Sequence, residues 1–128
     1  LRAVRGFCAG RIIAVFGCGG DRDPYKRPVM GKIAAELADL AIVTSDNPRT
    51  EDPYKILRQI LAGMQDTETP YEAIESRVSA IFRAMELAQK DDVIVLCGKG
   101  HETYQEIGHE KHHLDEREVV ASYLEAKA

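Results

Sequence analysis

An α/β fold, a mostly parallel sheet covered by helices on both faces, is what this sequence predicts, and three observations lead there. Continuous apolar runs at 11–16, 40–44 and 92–97 read as buried strands. Segments of helical period lie between them, which calls for right-handed crossovers and parallel neighbours. Polar loops follow the runs at 17–27, 45–50 and 98–102, where the carboxyl ends of parallel strands would gather them around one crevice. With 128 residues and 45% hydrophobic side chains, the chain is the size of one domain and can bury a core.

Residues 1–8 read as the end of a helix whose start lies upstream, so 1–10 are expected to be the tail of an interdomain segment and 11–128 the folded domain. Arg-Ile-Ile-Ala-Val-Phe at 11–16 is the first strand, stopped by Gly17-Cys18-Gly19-Gly20. From Pro28, acceptable in a first turn, Met30, Ile33, Ala34 and Leu37 recur at helical spacing. Residues 40–44 form the second strand. Asp52 then caps, and Pro53 opens, a helix with Ile56, Leu57, Ile60, Leu61 and Met64 on one face.

Residues 71–74 fit either a short edge strand or the lead-in to a helix, and pattern does not separate the two. The stretch 77–90 is the clearest helix, with a stripe of Val78, Ile81, Phe82, Met85 and Ala88. After the strand at 92–97, residues 103–107 and 111–114 flank Gly108-His109-Glu110 and predict a hairpin at the sheet edge. Asp115 with Glu118 three residues on forms a capping-box pattern ahead of a last helix that buries Val119, Val120, Tyr123 and Leu124.

Composition narrows the function. A net charge of −4 with interleaved signs offers no basic stripe for nucleic acid, and no apolar run approaches the roughly 20 residues that span a bilayer. Neither a nucleic-acid partner nor membrane insertion is expected, and the cytoplasm is the expected compartment. Cys8, Cys18 and Cys97 are odd in number and far apart, which fits buried reduced thiols better than a disulfide frame or a zinc site.

The loops carry the readable chemistry. Asp46-Asn47-Pro48-Arg49 follows a strand, is stiffened by Pro48, and offers acceptors, an amide and a guanidinium fork suited to a carboxylate or phosphate. The same residues also fit an Asx-type turn that merely joins strand to helix. Gly17-Cys18-Gly19-Gly20-Asp21-Arg22-Asp23 permits close backbone approach but matches neither common nucleotide-loop spacing, and an ion-paired surface loop fits it as well. Lys26 and Arg27 are read as added positive charge beside that loop. Gly98-Lys99-Gly100-His101-Glu102 lacks the Ser or Thr of a Walker loop; its glycines admit a ligand against the backbone, or simply turn the chain. His109, His112 and His113 lack a second ligand set for a metal, and the run Glu116-Arg117-Glu118 is read as a solvated helix face. Arg22 and Arg49 for carboxylates and Glu102 for an amine together describe an amino-acid site. Composition and spacing name no reaction.

The segments 17–23, Lys26-Arg27-Pro28, 44–53 and 98–105 resemble, in order and over nearly the whole chain, the C-terminal amino-acid-binding domain of the Mur ligases, in the branch that adds meso-diaminopimelate. The resemblance implies a Rossmann-like domain of a three-domain, ATP- and Mg2+-dependent cytoplasmic ligase. In that family ATP phosphorylates the D-glutamate carboxylate of UDP-MurNAc-L-Ala-D-Glu, and the amine of meso-diaminopimelate attacks the acyl phosphate. It further implies meso-diaminopimelate contacts at Arg22, Asp46, Asn47, Pro48, Arg49, Gly98 and Glu102, with Asp21 toward the ATP ribose. The family's P-loop, carbamylated lysine, magnesium ligands and UDP-substrate domain have no counterpart in these residues, so the chain by itself is expected to be inactive. A non-enzymatic amino-acid-binding or interaction domain, and a related ligase domain for lysine, are the alternatives.

Overall fold

The computed structural model describes residues 6, 8–20, 22–97 and 102–127. The expected helix end at 1–8 therefore lies largely outside the described residues. In chain order the described elements are β1 (Ile12–Phe16), α1 (Lys26–Leu37), β2 (Leu40–Val43), α2 (Pro53–Ala62), β3 (Tyr71–Ala73), α3 (Arg77–Leu87), β4 (Val93–Leu96), β5 (Tyr104–Ile107), β6 (Glu110–His113) and α4 (Glu116–Lys127). Four strands form one parallel sheet in the order β3-β2-β1-β4. Non-consecutive neighbours β1 and β4 mark where the strand order reverses, the usual place for a ligand crevice in open α/β sheets.

The sheet has an apolar layer on each face because β1 and β2 are apolar at every position. Ile12, Ala14, Phe16, Ala41 and Val43 pack with Ala34 and Ala35 of α1 and with Ile56, Leu57 and Ile60 of α2. Ile13, Val15, Leu40 and Ile42 pack on the other face with Ala80, Ile81 and Ala84 of α3, while Val119 and Val120 of α4 border that cluster. Every residue of β1 is at most 4% exposed, so it is the central strand on which loop positions depend.

Local chemistry explains the element ends. Asp52 accepts from the Tyr54 amide at 3.0 Å with Pro53 in the first turn, as expected. Helix α1 starts at Lys26, two residues before Pro28. Helix α3 stops at Leu87 rather than at Lys90, because Ala88 is extended and Asp92 Oδ2 accepts from the Gln89 amide at 2.9 Å, closing a turn. Residues 71–73 are a strand, with Tyr71 opposite Ala41.

Two expectations are corrected. Helix α1 packs through Gly31, Ala34 and Ala35, and a Cβ on Gly31 would stand 2.3 Å from the Ile60 carbonyl oxygen; this close approach leaves Met30 and Ile33 of the expected stripe 45% and 49% exposed. Leu124 is 57% exposed, while Tyr123 packs against Phe82 with ring centroids 5.5 Å apart. The expected C-terminal hairpin forms around Gly108 at φ +64°, with β5 and β6 pairing as a two-stranded sheet of their own. Its link is a parallel bridge between Ile107 and Arg49.

Candidate functional site

The loops after β1 and β2 leave the sheet side by side. Thr44 N donates to Phe16 O at 2.9 Å, and beyond it Gly20 N donates to Asn47 O at 2.6 Å. A Cβ at Gly20 would lie 1.7 Å from the Pro48 carbonyl oxygen, so only glycine fits where the two backbones touch. At Gly19 a Cβ would lie 2.9 Å from Arg49 Nη1 and 3.5 Å from Arg22 Cγ. The two arginines read from the sequence as carboxylate grips thus border one glycine.

The third loop arrives through Asn47. Its Nδ2 donates to Glu102 Oε1 at 3.4 Å and its Oδ1 accepts from the Glu106 amide at 2.9 Å. Gln105 Nε2 donates to Asp46 O at 2.6 Å, Arg49 N to Glu106 O at 3.0 Å, and Gly108 N to Arg49 O at 2.5 Å. Asn47 is 3% exposed, so its amide clamps two loops together. Arg49 sits at φ +52°, a left-handed conformation uncommon outside glycine and held here by bonds on both sides of the residue. Its Nη1 donates to Gly20 O at 3.0 Å and its Nε to Glu106 Oε2 at 3.1 Å.

Two hollows flank this junction. One, of about 370 Å³, is lined by Cys18, Arg22, Asp23, Lys26, Met30 and Asp46 among others. The other, of about 250 Å³, is lined by Arg49, Thr50, Glu106, Gly108, His109 and Lys111. Arg22 and Asp46 therefore face the first hollow, and Arg49 borders the second. Burial pushes the Cys18 thiol up to about 11; Arg27 opposes that shift and Asp46 adds to it. All three cysteines are free thiols, Cys18 buried and Cys8 and Cys97 half-buried. Gly98 and Asp21 lie outside the described residues.

Residues 1–100 match the family model described as "Mur ligase, glutamate ligase domain". The chain belongs to the Mur ligase family. It is 64% identical over 124 residues to the UDP-N-acetylmuramoyl-L-alanyl-D-glutamate--2,6-diaminopimelate ligase of Trichormus variabilis, covering 97% of this chain and 25% of that one. It is 54% identical over 125 residues to the protein of the same name from Clostridium tetani, with 98% and 25% covered. A solved structure of a UDP-N-acetylmuramoyl-L-alanyl-D-glutamate--2,6-diaminopimelate ligase superposes with a TM-score of 0.94 at 41% identity, over 98% of this chain and 26% of that one. The chain spans about a quarter of the length of the curated relatives it matches.

Three residues of this Mur ligase domain build the rim in roles that the sequence reading did not assign to them. Arg27, expected to lend free positive charge, is 1% exposed and spent on Glu51 at 2.8 and 3.0 Å, Gln59 at 2.6 Å and the Gly19 carbonyl at 3.0 Å. Arg77, also 1% exposed, bonds Glu116 at 2.8 Å, Ser45 O at 3.2 Å and Cys97 O at 2.8 Å, tying the ends of β2 and β4 to α4. Glu116 is thereby no member of a solvated face; its side chain is 12% exposed and paired. The third is Glu106. No local pattern marks these partners, which lie 8 to 57 positions apart.

Proposed function

We propose that this chain is the amino-acid-binding domain of a cytoplasmic, ATP- and Mg2+-dependent amide-forming ligase that adds meso-2,6-diaminopimelate to UDP-MurNAc-L-Ala-D-Glu in peptidoglycan synthesis. Residues 11–128 are the domain and 1–10 the end of a segment joining it to the rest. The names of its relatives support the reaction class, and the observation that carries the site is the junction at Asn47, where Arg22, Arg49 and Glu102 converge from three loops.

The ligand has a second zwitterionic centre remote from its reacting amine. Arg49 offers donors for the distal carboxylate and Glu102 an acceptor for the distal ammonium, with Arg22, Asp46, Asn47, Pro48 and Gly98 completing the contact around the junction. Lysine has no distal carboxylate, and leaving a charged donor unpaired costs about 1–3 kcal/mol. Holding the far end fixes where the near amine points, which is this domain's contribution to rate.

Among the described residues no cluster of His, Cys, Asp and Glu fits a metal ion, and the sequence carries no P-loop. As the family resemblance implies, magnesium and the ATP phosphates belong to the rest of the ligase, with Asp21 reaching the ribose. No helix among the described residues is long and apolar enough to cross a membrane.

Calorimetric titration of the chain with meso-diaminopimelate and with L-lysine, as wild type and Arg49→Ala, tests the reading. Tighter binding of diaminopimelate by wild type and loss of that preference in the variant are expected. Equal binding of both ligands by wild type overturns the specificity, and no binding of either overturns the site.

A further inference from the structure

The amino-acid site read from the sequence does not include Glu106, yet the structure sets its carboxylate on Arg49, Oε2 to Nε at 3.1 Å. The contact is preset by backbone. Arg49 N donates to Glu106 O directly, while Glu106 N donates to Asn47 Oδ1 and Gly108 N to Arg49 O, so one bond between the two residues and two through their neighbours register them before their side chains meet. The guanidinium is then held at two points, Nε on Glu106 and Nη1 on the Gly20 carbonyl at 3.0 Å. Nη1 also lies 3.4 Å from Asn47 O, so these contacts fix the plane of a rigid fork and take up Nε and Nη1 but not Nη2. On the hairpin, Lys111 lies directly across from Glu106, and its ammonium rests 4.5 Å from the centre of the Tyr104 ring. Arg49, Glu106 and Lys111 all line the same hollow.

We propose that Glu106 is a positioning residue of the amino-acid site: it aims Arg49 so that a ligand carboxylate meets the Nη edge, and it withholds the Nε edge from that carboxylate. The proposal rests on the reading of Arg49 as the grip for a distal carboxylate. The Arg49 and Glu106 side chains are 20% and 28% exposed, so the pair adds little to stability. Its effect is to remove rotamer freedom that the ligand would otherwise have to freeze.

The test compares the 128-residue chain, 15N-labelled, as wild type, Glu106→Gln and Glu106→Ala. The Arg49 Nε–H resonance should be distinct and slow to exchange in wild type. It should persist in Glu106→Gln, whose amide oxygen keeps an acceptor, and merge with exposed arginines in Glu106→Ala. In titrations with meso-diaminopimelate, Glu106→Ala should bind about tenfold more weakly, as expected for one charge-assisted bond. Glu106→Gln should recover most of that loss, with all three melting alike. An Arg49 resonance unchanged in Glu106→Ala overturns the proposal, as does equal ligand binding by the three proteins. Failure of wild type to bind overturns the amino-acid site itself, and with it the purpose given to Glu106; the resonance data separate this from a missing Arg49 contact. Should Glu106→Ala not fold, Glu106→Asp, one methylene short of Arg49, takes its place with the same expectations.

Discussion

Arg77 Nη1 donates to the carbonyl of Ser45 at 3.2 Å, and through that bond a residue opening α3 supports the first residue of the Asp-Asn-Pro-Arg approach. The same side chain reaches Cys97 O and Glu116, so one buried guanidinium braces two of the three rim loops. Removing it leaves a paired carboxylate and two carbonyls without their donor. Arg77→Ala should lose about 3 kcal/mol or more in urea unfolding, because a buried pair broken on one side costs more than the intact pair is worth. A loss below about 1 kcal/mol would mean that water replaces the guanidinium without difficulty.

The contact of Gly20 with Pro48 makes a sharper test of the two-loop junction. A Cβ placed 1.7 Å from the Pro48 carbonyl forces one loop off the other. Gly20→Ala should destabilise by about 1–3 kcal/mol, in the range of overpacking, and should shift the amide resonances of Asn47 and Arg49. Unmoved resonances there would show that the loops are not in contact.

Asp92 fixes the turn between α3 and β4, accepting from the amides of Gln89 and Arg11 and pairing with the Arg11 side chain at 2.9 Å. Those backbone bonds, with Arg11 adding, hold its carboxyl down at about 2, against an ordinary 3.8. A lowered folded value means that the stabilisation is whole above about pH 4 and disappears as pH falls toward 2. Urea midpoints of wild type and Asp92→Asn should therefore differ at pH 6 and converge by pH 2. A gap that stays constant over that span contradicts the assignment.

Cys18 sits at the bottom of the larger hollow, its thiol raised by burial to about 11, and its Sγ lies 3.6 Å from Met30 Sδ. The thiolate is scarce at pH 8, so iodoacetamide should label Cys18 slowly in the folded chain and at the ordinary rate in urea, read by mass spectrometry of peptides. Equal rates in the two states would place the thiol in open solvent.

What the sequence made legible was what local pattern encodes. Apolar runs located β1, β2 and β4, Asp52-Pro53 located a helix start, and the loops after β1 and β2, read as neighbours, do meet at Gly20 and Asn47. The stripe on α1 failed because periodicity counts large apolar residues. That helix instead approaches α2 through Gly31 and Ala34, which places Met30 and Ile33 toward solvent. Arg27 and Arg77 escaped because a buried arginine and an exposed one have the same signature in a sequence; only the distant Glu51 and Glu116 distinguish them. The partition of Arg22 and Arg49 between two hollows likewise depends on loop geometry that spacing does not carry.

The hairpin hangs from the backbone of Arg49, while its outer strand, Glu110–His113, is exposed along its length. Order in the specificity turn and order in that outlying ribbon are consequently one quantity: loosening either loosens the other. A change at Glu110, His112 or His113, which line neither hollow, is thus felt through the ribbon at the backbone of Arg49.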